Sequence, residues 1–361
     1  MTNTSPPRDY SLDSFRGLDV LLMILVNVQG SDAAAFAFMK HAEWNGITLA
    51  DFVFPVFLLI VGLSAPLALD RADRPFSWPG ILKRVTLLFL IGVALGIAIR
   101  GEIALESIRW MGVLQRIAIV YLVCAVVIKM RGGIALPIVF SIGFLALHSV
   151  LLLFVGSPTG NPPSLAPGMG VSGWLDQNFI PGRVHRGTWD PEGILSTLPA
   201  VVNALIGVAI MRRIQTKGTS NPLLVGIGAS LIIIGMLLTP WLPLNKNLST
   251  ASFMLVTSGV GLVVWAAMRV AWPLVGHARF AKWIVILGQT ALTLYVVHML
   301  LIAMLVRHLP DGTKIWEAGY NLLASTGLNP ALASMSFAVC AAVISCAAIP
   351  SLRRHGWVLK V

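Results

Sequence analysis

Apolar runs close to twenty residues long recur from one end of the chain to the other, separated by short stretches rich in Arg, Lys, Pro and Gly. About 20 residues of helix, at ~1.5 Å each, cross the ~30 Å hydrocarbon core of a bilayer. The pattern therefore predicts transmembrane helices over residues 16–37, 49–69, 81–99, 112–128, 134–155, 192–211, 223–241, 252–271, 283–306 and 329–349. No stretch is left for a separate soluble domain. The expected fold is all-α, a polytopic membrane protein of about ten spans forming one domain over residues 1–361. Residues 1–14 are polar and lead into a run followed by further spans, so no cleavable signal peptide is expected.

Composition agrees with the pattern. The 361 residues are 57% hydrophobic and only 11% charged, with a mean hydropathy of +0.83, which excludes water as the main solvent. The net charge of +11 is unevenly placed. With ten spans, the side holding both termini carries 17 Lys and Arg, among them Arg71, Arg74, Lys83, Arg84, Arg212, Arg213, Lys217, Arg353 and Arg354, and the other side carries nine. The positive-inside rule places the termini in the cytoplasm. That rule and attraction to anionic lipid account for the charge, and no nucleic-acid partner is required. Cys124, Cys340 and Cys346 all fall inside expected spans without metal-ligand spacing, and are expected to be small buried apolar residues with no metal site.

Two connections, residues 30–48 and 156–191, are longer than a helical hairpin needs, and both face away from the cytoplasm in this topology. Long ordered loops are disproportionately functional. The first holds Lys40, His41, Glu43, Trp44 and Asn45; the second ends in His185, Arg186, Trp189, Asp190, Pro191 and Glu192. Asp190 followed by Pro191 and Glu192 predicts a helix start with Asp190 as its cap. No internal repeat of the kind that builds inverted-repeat transporters is visible.

Polar groups inside spans are costly and are functional candidates by default. Arg16, Asp19, Met23 and Asn27 fall at roughly 0°, 300°, 340° and 20° around the first helix, so they share a stripe that must face protein or a cavity. Asn27 lies ~16 Å beyond Arg16, near the bilayer centre in this frame. The plainer reading of Asn27 is a hydrogen bond to a neighbouring helix. His41, close to Trp44, Asn45 and Asp51, is either a solvated loop residue or a proton acceptor suited to neutral pH. His298 sits sixteen residues past Lys282, ~24 Å from the inner edge, with Tyr295 three residues earlier on its face. Gln115, Arg116, Arg100, Arg109 and Lys246 either snorkel to the interface or meet a substrate. Gly92 and Gly96 form a small-xxx-small pair expected to serve close helix packing.

The runs Ser11-Leu12-Asp13-Ser14-Phe15-Arg16-Gly17, Val26-Asn27, Lys40-His41-Ala42-Glu43-Trp44-Asn45-Gly46 and Ala50-Asp51-Phe52-Val53-Phe54-Pro55 resemble the opening of the heparan-α-glucosaminide N-acetyltransferase family, including its bacterial NagX-like members. The likeness continues through Gly112-Val113-Leu114-Gln115-Arg116, Asp190-Pro191-Glu192-Gly193, Asn245-Lys246-Asn247 and the stretch from Tyr295 to His298. It implies a multi-pass enzyme, here of a bacterial inner membrane, that moves an acetyl group from cytoplasmic acetyl-CoA to the amine of a glucosamine unit on the other side, and it admits a homodimer. His41 becomes the catalytic histidine, with Asn27 and His298 beside it. Arg16, Lys83 and Arg84 are at the end where the coenzyme's phosphates belong, and Asp51, Gln115 and Arg116 are expected to join them in binding it. Trp44, Asn45, Asp190, Glu192 and Lys246 are expected at the acceptor. No large luminal domain precedes the first helices, which shifts the expected acceptor from polymeric heparan to a small or cell-envelope amino sugar. His41 acts either as general base or as an acetyl carrier. The rival readings are a permease for N-acetylglucosamine-type sugars and an O-acetyltransferase acting on an envelope polysaccharide.

Overall fold

The structure, a computed structural model, describes residues 9–70 and 76–359. Arg71 and Arg74 of the inner-side cation count, and residues 1–8 of the polar start, lie outside the described residues. The chain forms α1 (Tyr10–Asn27), a 3-10 turn (Ala37–Met39), α2 (Leu49–Leu69), α3 (Trp78–Arg100), α4 (Val113–Lys129), α5 (Ala135–Phe154) and α6 (Gly170–Phe179). It continues with α7 (Ile194–Lys217), α8 (Asn221–Leu237), α9 (Ala251–Val275), α10 (Arg279–Gln289), α11 (Ala291–Leu305), α12 (Ile315–Ala324) and α13 (Pro330–Arg354). The protein is all-α and polytopic. Six helices, α2, α3, α5, α7, α9 and α13, are long and apolar enough to cross a membrane, and seven spans result if α10 and α11 count as one broken span. Helices α1, α4 and α8 occupy the remaining expected spans but are shorter or more charged.

Two expected spans are corrected. The first helix starts at Tyr10, six residues early, because the Asp9 carboxylate accepts from the N–H groups of Ser11 and Leu12 at 3.0 and 3.1 Å and so caps it. It ends at Asn27, which is therefore the last residue of the helix, ~25 Å from its start, and not a residue midway along it. Charge is tolerated in α1 because protein surrounds it: Asp13 and Asp19 are buried, and α10 crosses at backbone contact. A Cβ on Gly17 would lie 2.1 Å from the Ile284 carbonyl oxygen, and one on Gly288 would lie 1.8 Å from that of Asp13. The helix expected over 283–306 is broken after Gln289, and α11 turns 82° from α10. Depth counted straight from Lys282 to His298 therefore does not hold.

In a bilayer, helices gain little from burying apolar faces against each other, so close backbone approach and interhelical polar contacts carry the packing. Gly62 of α2 faces the Ala204 backbone of α7, and Gly207 of α7 faces the Leu59 backbone in return. Asn203 of α7 donates to Ser258 Oγ of α9 at 2.8 Å. At the inner end Arg212 ties four helices together through Asp70, Ile128 and Gly133. Leu90, Ile142 and Ile233 point outward from α3, α5 and α8 as lipid-facing residues do. Gly92 does pack closely, but against the Gln115 side chain, and Gly96 faces open space. All three cysteines are free; Cys124 is buried, Cys346 half-buried and Cys340 exposed, so the expectation of burial fails at Cys340.

The second long loop contains α6, and α6 supplies the cap of α7. Asp176 accepts from the N–H of Ile194 and from the N–H of Asp190, both at 3.0 Å. The helix therefore begins at Ile194, three residues after Pro191, and the Asp190 carboxylate is used elsewhere. Here a tertiary cap replaced the local one the sequence offered.

Candidate active site

Two cavities open at opposite ends of α1 and α2. One, called outer after the topology expected from charge, is about 650 Å3 and lies between the C-terminal turn of α1, the N-terminal turns of α2, and the loops that carry His41, Glu192 and Lys246. Asp51 opens α2 in a capping box with Thr48 and is wholly buried. It accepts from the N–H groups of Ala42 and Thr48 at 3.1 and 3.0 Å and from Thr48 Oγ1 at 3.1 Å. Its other oxygen meets His41 Nδ1 at 2.8 Å. A carboxylate only accepts, so this contact sets the imidazole tautomer with its proton on Nδ1 and turns Nε2 toward the cavity. Lys246 Nζ lies over the imidazole edge, 2.9 Å from Nδ1 and 3.1 Å from Nε2, and 3.7 Å from Asp51 Oδ1. The His41 side chain stays 46% exposed at the cavity wall, so a solute can reach it.

Beside this pair stands a buried ion cluster. Arg109 donates to both oxygens of Asp190, at 2.5 and 2.9 Å, and to Glu192. Burial pulls the Arg109 guanidinium down, but the Glu192 and Asp190 charges outweigh it and raise its pKa. Burial would raise the Glu192 carboxyl, yet Arg109, Arg116 and Lys246 bring it down to about 2, so it stays ionised. Lys246 is lowered by burial, against the pull of Asp51 and Glu192. His185, on the same wall, is brought down to about 4 by burial and by Arg109, and is neutral near pH 7. A fixed anion and an oriented imidazole thus face one polar space, which suits recognition and deprotonation of an amine.

Asn27 lines the same cavity, and its Nδ2 lies 3.5 Å from Nε2 of His298. His298 itself stands behind, buried on α11, with the Tyr295 ring edge-on at 5.0 Å between centroids. The inner cavity, of about 300 Å3, is lined by Arg16, Ser64, Arg84 and Tyr121 among apolar residues. Arg16 donates to Ser64 Oγ at 2.6 Å, and Arg84 lies 4.4 Å above the Tyr121 ring. Met23 and Tyr295 line both cavities.

Other expected site residues lie elsewhere. Lys83 is exposed and lines neither cavity. Asp51, grouped above with the coenzyme, orients His41 instead, its oxygens already engaged. Gln115 packs into the space over Gly92, and Arg116 is buried on Ser196 Oγ and the Gly193 carbonyl, at the acceptor end of α4 and far along the chain from Arg84. Trp44 donates to the Leu165 carbonyl at 2.9 Å and stacks edge-on with Trp189, while Asn45 accepts from Asn245; both hold the loop and neither lines the cavity. Asp190 braces Arg109 and also accepts from the N–H groups of His185 and Glu192. Arg109, expected only to snorkel or to meet a substrate, and His185 and Trp189, expected only as members of a functional loop, all line this cavity. Two carboxylates spaced i, i+2 in a buried loop demand a cation, and that was the signal for Arg109.

Residues 8–172, which hold Asn27, His41 and Asp51, match the sequence model described as heparan-alpha-glucosaminide N-acetyltransferase, catalytic. This stretch is similar to that catalytic family. Heparan-alpha-glucosaminide N-acetyltransferase of Homo sapiens is 28% identical over an alignment of 348 residues that covers 75% of this chain and 49% of the human protein. Its counterpart from Mus musculus is 27% identical over 312 residues, covering 68% of this chain and 46% of the mouse protein. The chain thus spans about half the length of these curated relatives.

Proposed function

We propose that the chain crosses a bacterial inner membrane ten times, with both termini in the cytoplasm, and transfers the acetyl group of cytoplasmic acetyl-CoA to the amine of a glucosamine-type sugar on the outer side. One observation carries this reading. The His41–Asp51 pair and Asn27 face an outer cavity that meets, at Met23 and Tyr295, an inner cavity bearing Arg16 and Arg84.

The two arginines bind the coenzyme's phosphates with charge-assisted hydrogen bonds, and the thioester arm reaches toward Asn27. The sugar ammonium is drawn by the Glu192 carboxylate and gives one proton to water in the cavity, and the neutral amine takes the place of Lys246 at His41 Nε2. His41 removes a proton as nitrogen attacks the thioester carbonyl. A C–N bond forms, and the negative charge on oxygen is met by Asn27 Nδ2–H and by Lys246. Collapse breaks the C–S bond, and the thiolate of CoA takes up a proton. Asp51 stabilises the imidazolium in between.

Purified protein in detergent, given acetyl-CoA and glucosamine, should release CoA and form a product whose acetyl group resists mild alkali, as an amide does and an ester does not. A permease would release no CoA under these conditions. Arg16→Ala and Arg84→Ala should raise the KM for acetyl-CoA more than that for the sugar; equal effects on both would misplace the coenzyme.

A further inference from the structure

Met23 and Tyr295 belong to the walls of both cavities, and the rest of each wall is its own. The two spaces open toward opposite ends of the bundle, so the wall they share is one side chain thick, made of these two residues side by side. Both side chains are buried. They are not equivalent. Tyr295 is a rigid ring braced edge-on against His298, whereas Met23 is an unbranched thioether on α1 with three rotatable bonds. Asn27 stands one helical turn beyond Met23, ~6 Å farther along α1.

We propose that Met23 and Tyr295 form a septum that seals the membrane and separates the thioester from the outer cavity, and that the coenzyme arm opens it by displacing Met23. The inner cavity's wall holds neither imidazole nor carboxylate among the described residues, so a thioester waiting there meets no base. Past the septum it meets His41, Asn27 and the outer water together. Without a closed septum, water would use the same base as the amine does: its oxygen bonds to the thioester carbonyl, the C–S bond breaks, and acetate, a proton and CoA thiol leave. Exclusion of water from reactive groups is a general use of closed sites. The hydrolytic part of this inference rests on the acetyltransferase reading; the sealing part does not.

Met23→Ala, Met23→Leu and Tyr295→Phe proteins, each reconstituted into liposomes holding a pH dye, test the seal. Met23→Ala should leak protons at least about tenfold faster than wild type, while Met23→Leu, close in volume, and Tyr295→Phe, which keeps the ring, should stay near wild type. In detergent with acetyl-CoA alone, Met23→Ala should release CoA about tenfold faster relative to its rate of transfer to glucosamine. Tight Met23→Ala liposomes overturn the septum, whatever the enzyme does. A leak with no extra CoA release overturns its role in protecting the thioester. If wild type transfers acetyl to no amine, the acetyltransferase reading falls, and the leak alone decides the seal. The Met23→Leu protein, by folding and sealing, shows that a leak in Met23→Ala comes from lost volume.

Discussion

A loop histidine is only as well placed as the groups that hold it, and Asp51 holds His41 from the first turn of a transmembrane helix. Three other donors already converge on that carboxylate, so its position does not depend on the histidine. Asp51→Asn keeps the shape but offers an N–H toward Nδ1, which favours the wrong tautomer, and kcat should fall by ~10² to 10⁴ with little change in the KM for acetyl-CoA. His41→Ala should cost as much. Raising the pH should partly restore the His41→Ala protein, because more of the amine is then neutral without a base. If His41 instead carries the acetyl group, pH gives no rescue, and labelled acetyl stays on the wild-type protein after incubation with donor alone. Wild-type rates in both variants would remove the chemistry from this loop. At this scale the sequence was informative about residue type and weak about direction. His41, Asn27, Glu192 and Lys246 share one cavity, as their chemistry suggested. Trp44 and Asn45, one or two positions from a cavity-lining residue, turn to Leu165 and Asn245, since successive loop side chains follow no fixed period.

Among elements, apolar length located helices in all ten expected spans, but helix ends followed capping, which a hydropathy window does not see. Asp9 moved the start of α1, and Asp176, from a different helix, set the start of α7. The cap of α7 has a thermodynamic signature. Asp176 is raised to about 6 from 3.8, by burial first, so the folded state holds its proton more tightly than the unfolded state. Its stabilisation is complete below pH ~4 and fades as pH rises through about 6. His185, nine residues on, is lowered to about 4 from 6.5, so its contribution runs the other way and grows with pH across the same window. The two slopes oppose each other in wild type. Asp176→Asn should therefore make the melting temperature in detergent rise more steeply from pH 4.5 to 6.5, and His185→Gln should make it fall, relative to wild type. Parallel curves for all three proteins would show that neither group titrates between the folded and unfolded states in this range.

At the scale of the whole molecule, the stripe of Arg16, Met23 and Asn27 on α1 was legible from a 3.6-residue period, and it runs from the inner cavity through the shared wall to the outer one. The bend after Gln289 was not legible, because the backbone packed beside it, at Asp13 against Gly288, lies 275 positions away in sequence. The proposed sidedness rests on charge. The expected ten-span topology assigns seventeen Lys and Arg to the side of Arg16, Arg84 and Arg212 and nine to the side of His41. The translocated loops of a multispan protein are poor in these residues, which supports the proposal that the His41 end faces outward. In a background whose three cysteines are replaced by serine, Arg183→Cys should react with a membrane-impermeant maleimide in intact spheroplasts. Lys217→Cys, at the last residue of α7, which also carries Arg212, should react only after the membrane is opened. Both residues are exposed, so failure to label would reflect the membrane and not burial. The reverse pattern would put the arginine-lined cavity on the side away from cytoplasmic acetyl-CoA, and a donor could then reach Arg16 and Arg84 only by crossing the bilayer, at a cost its phosphates forbid.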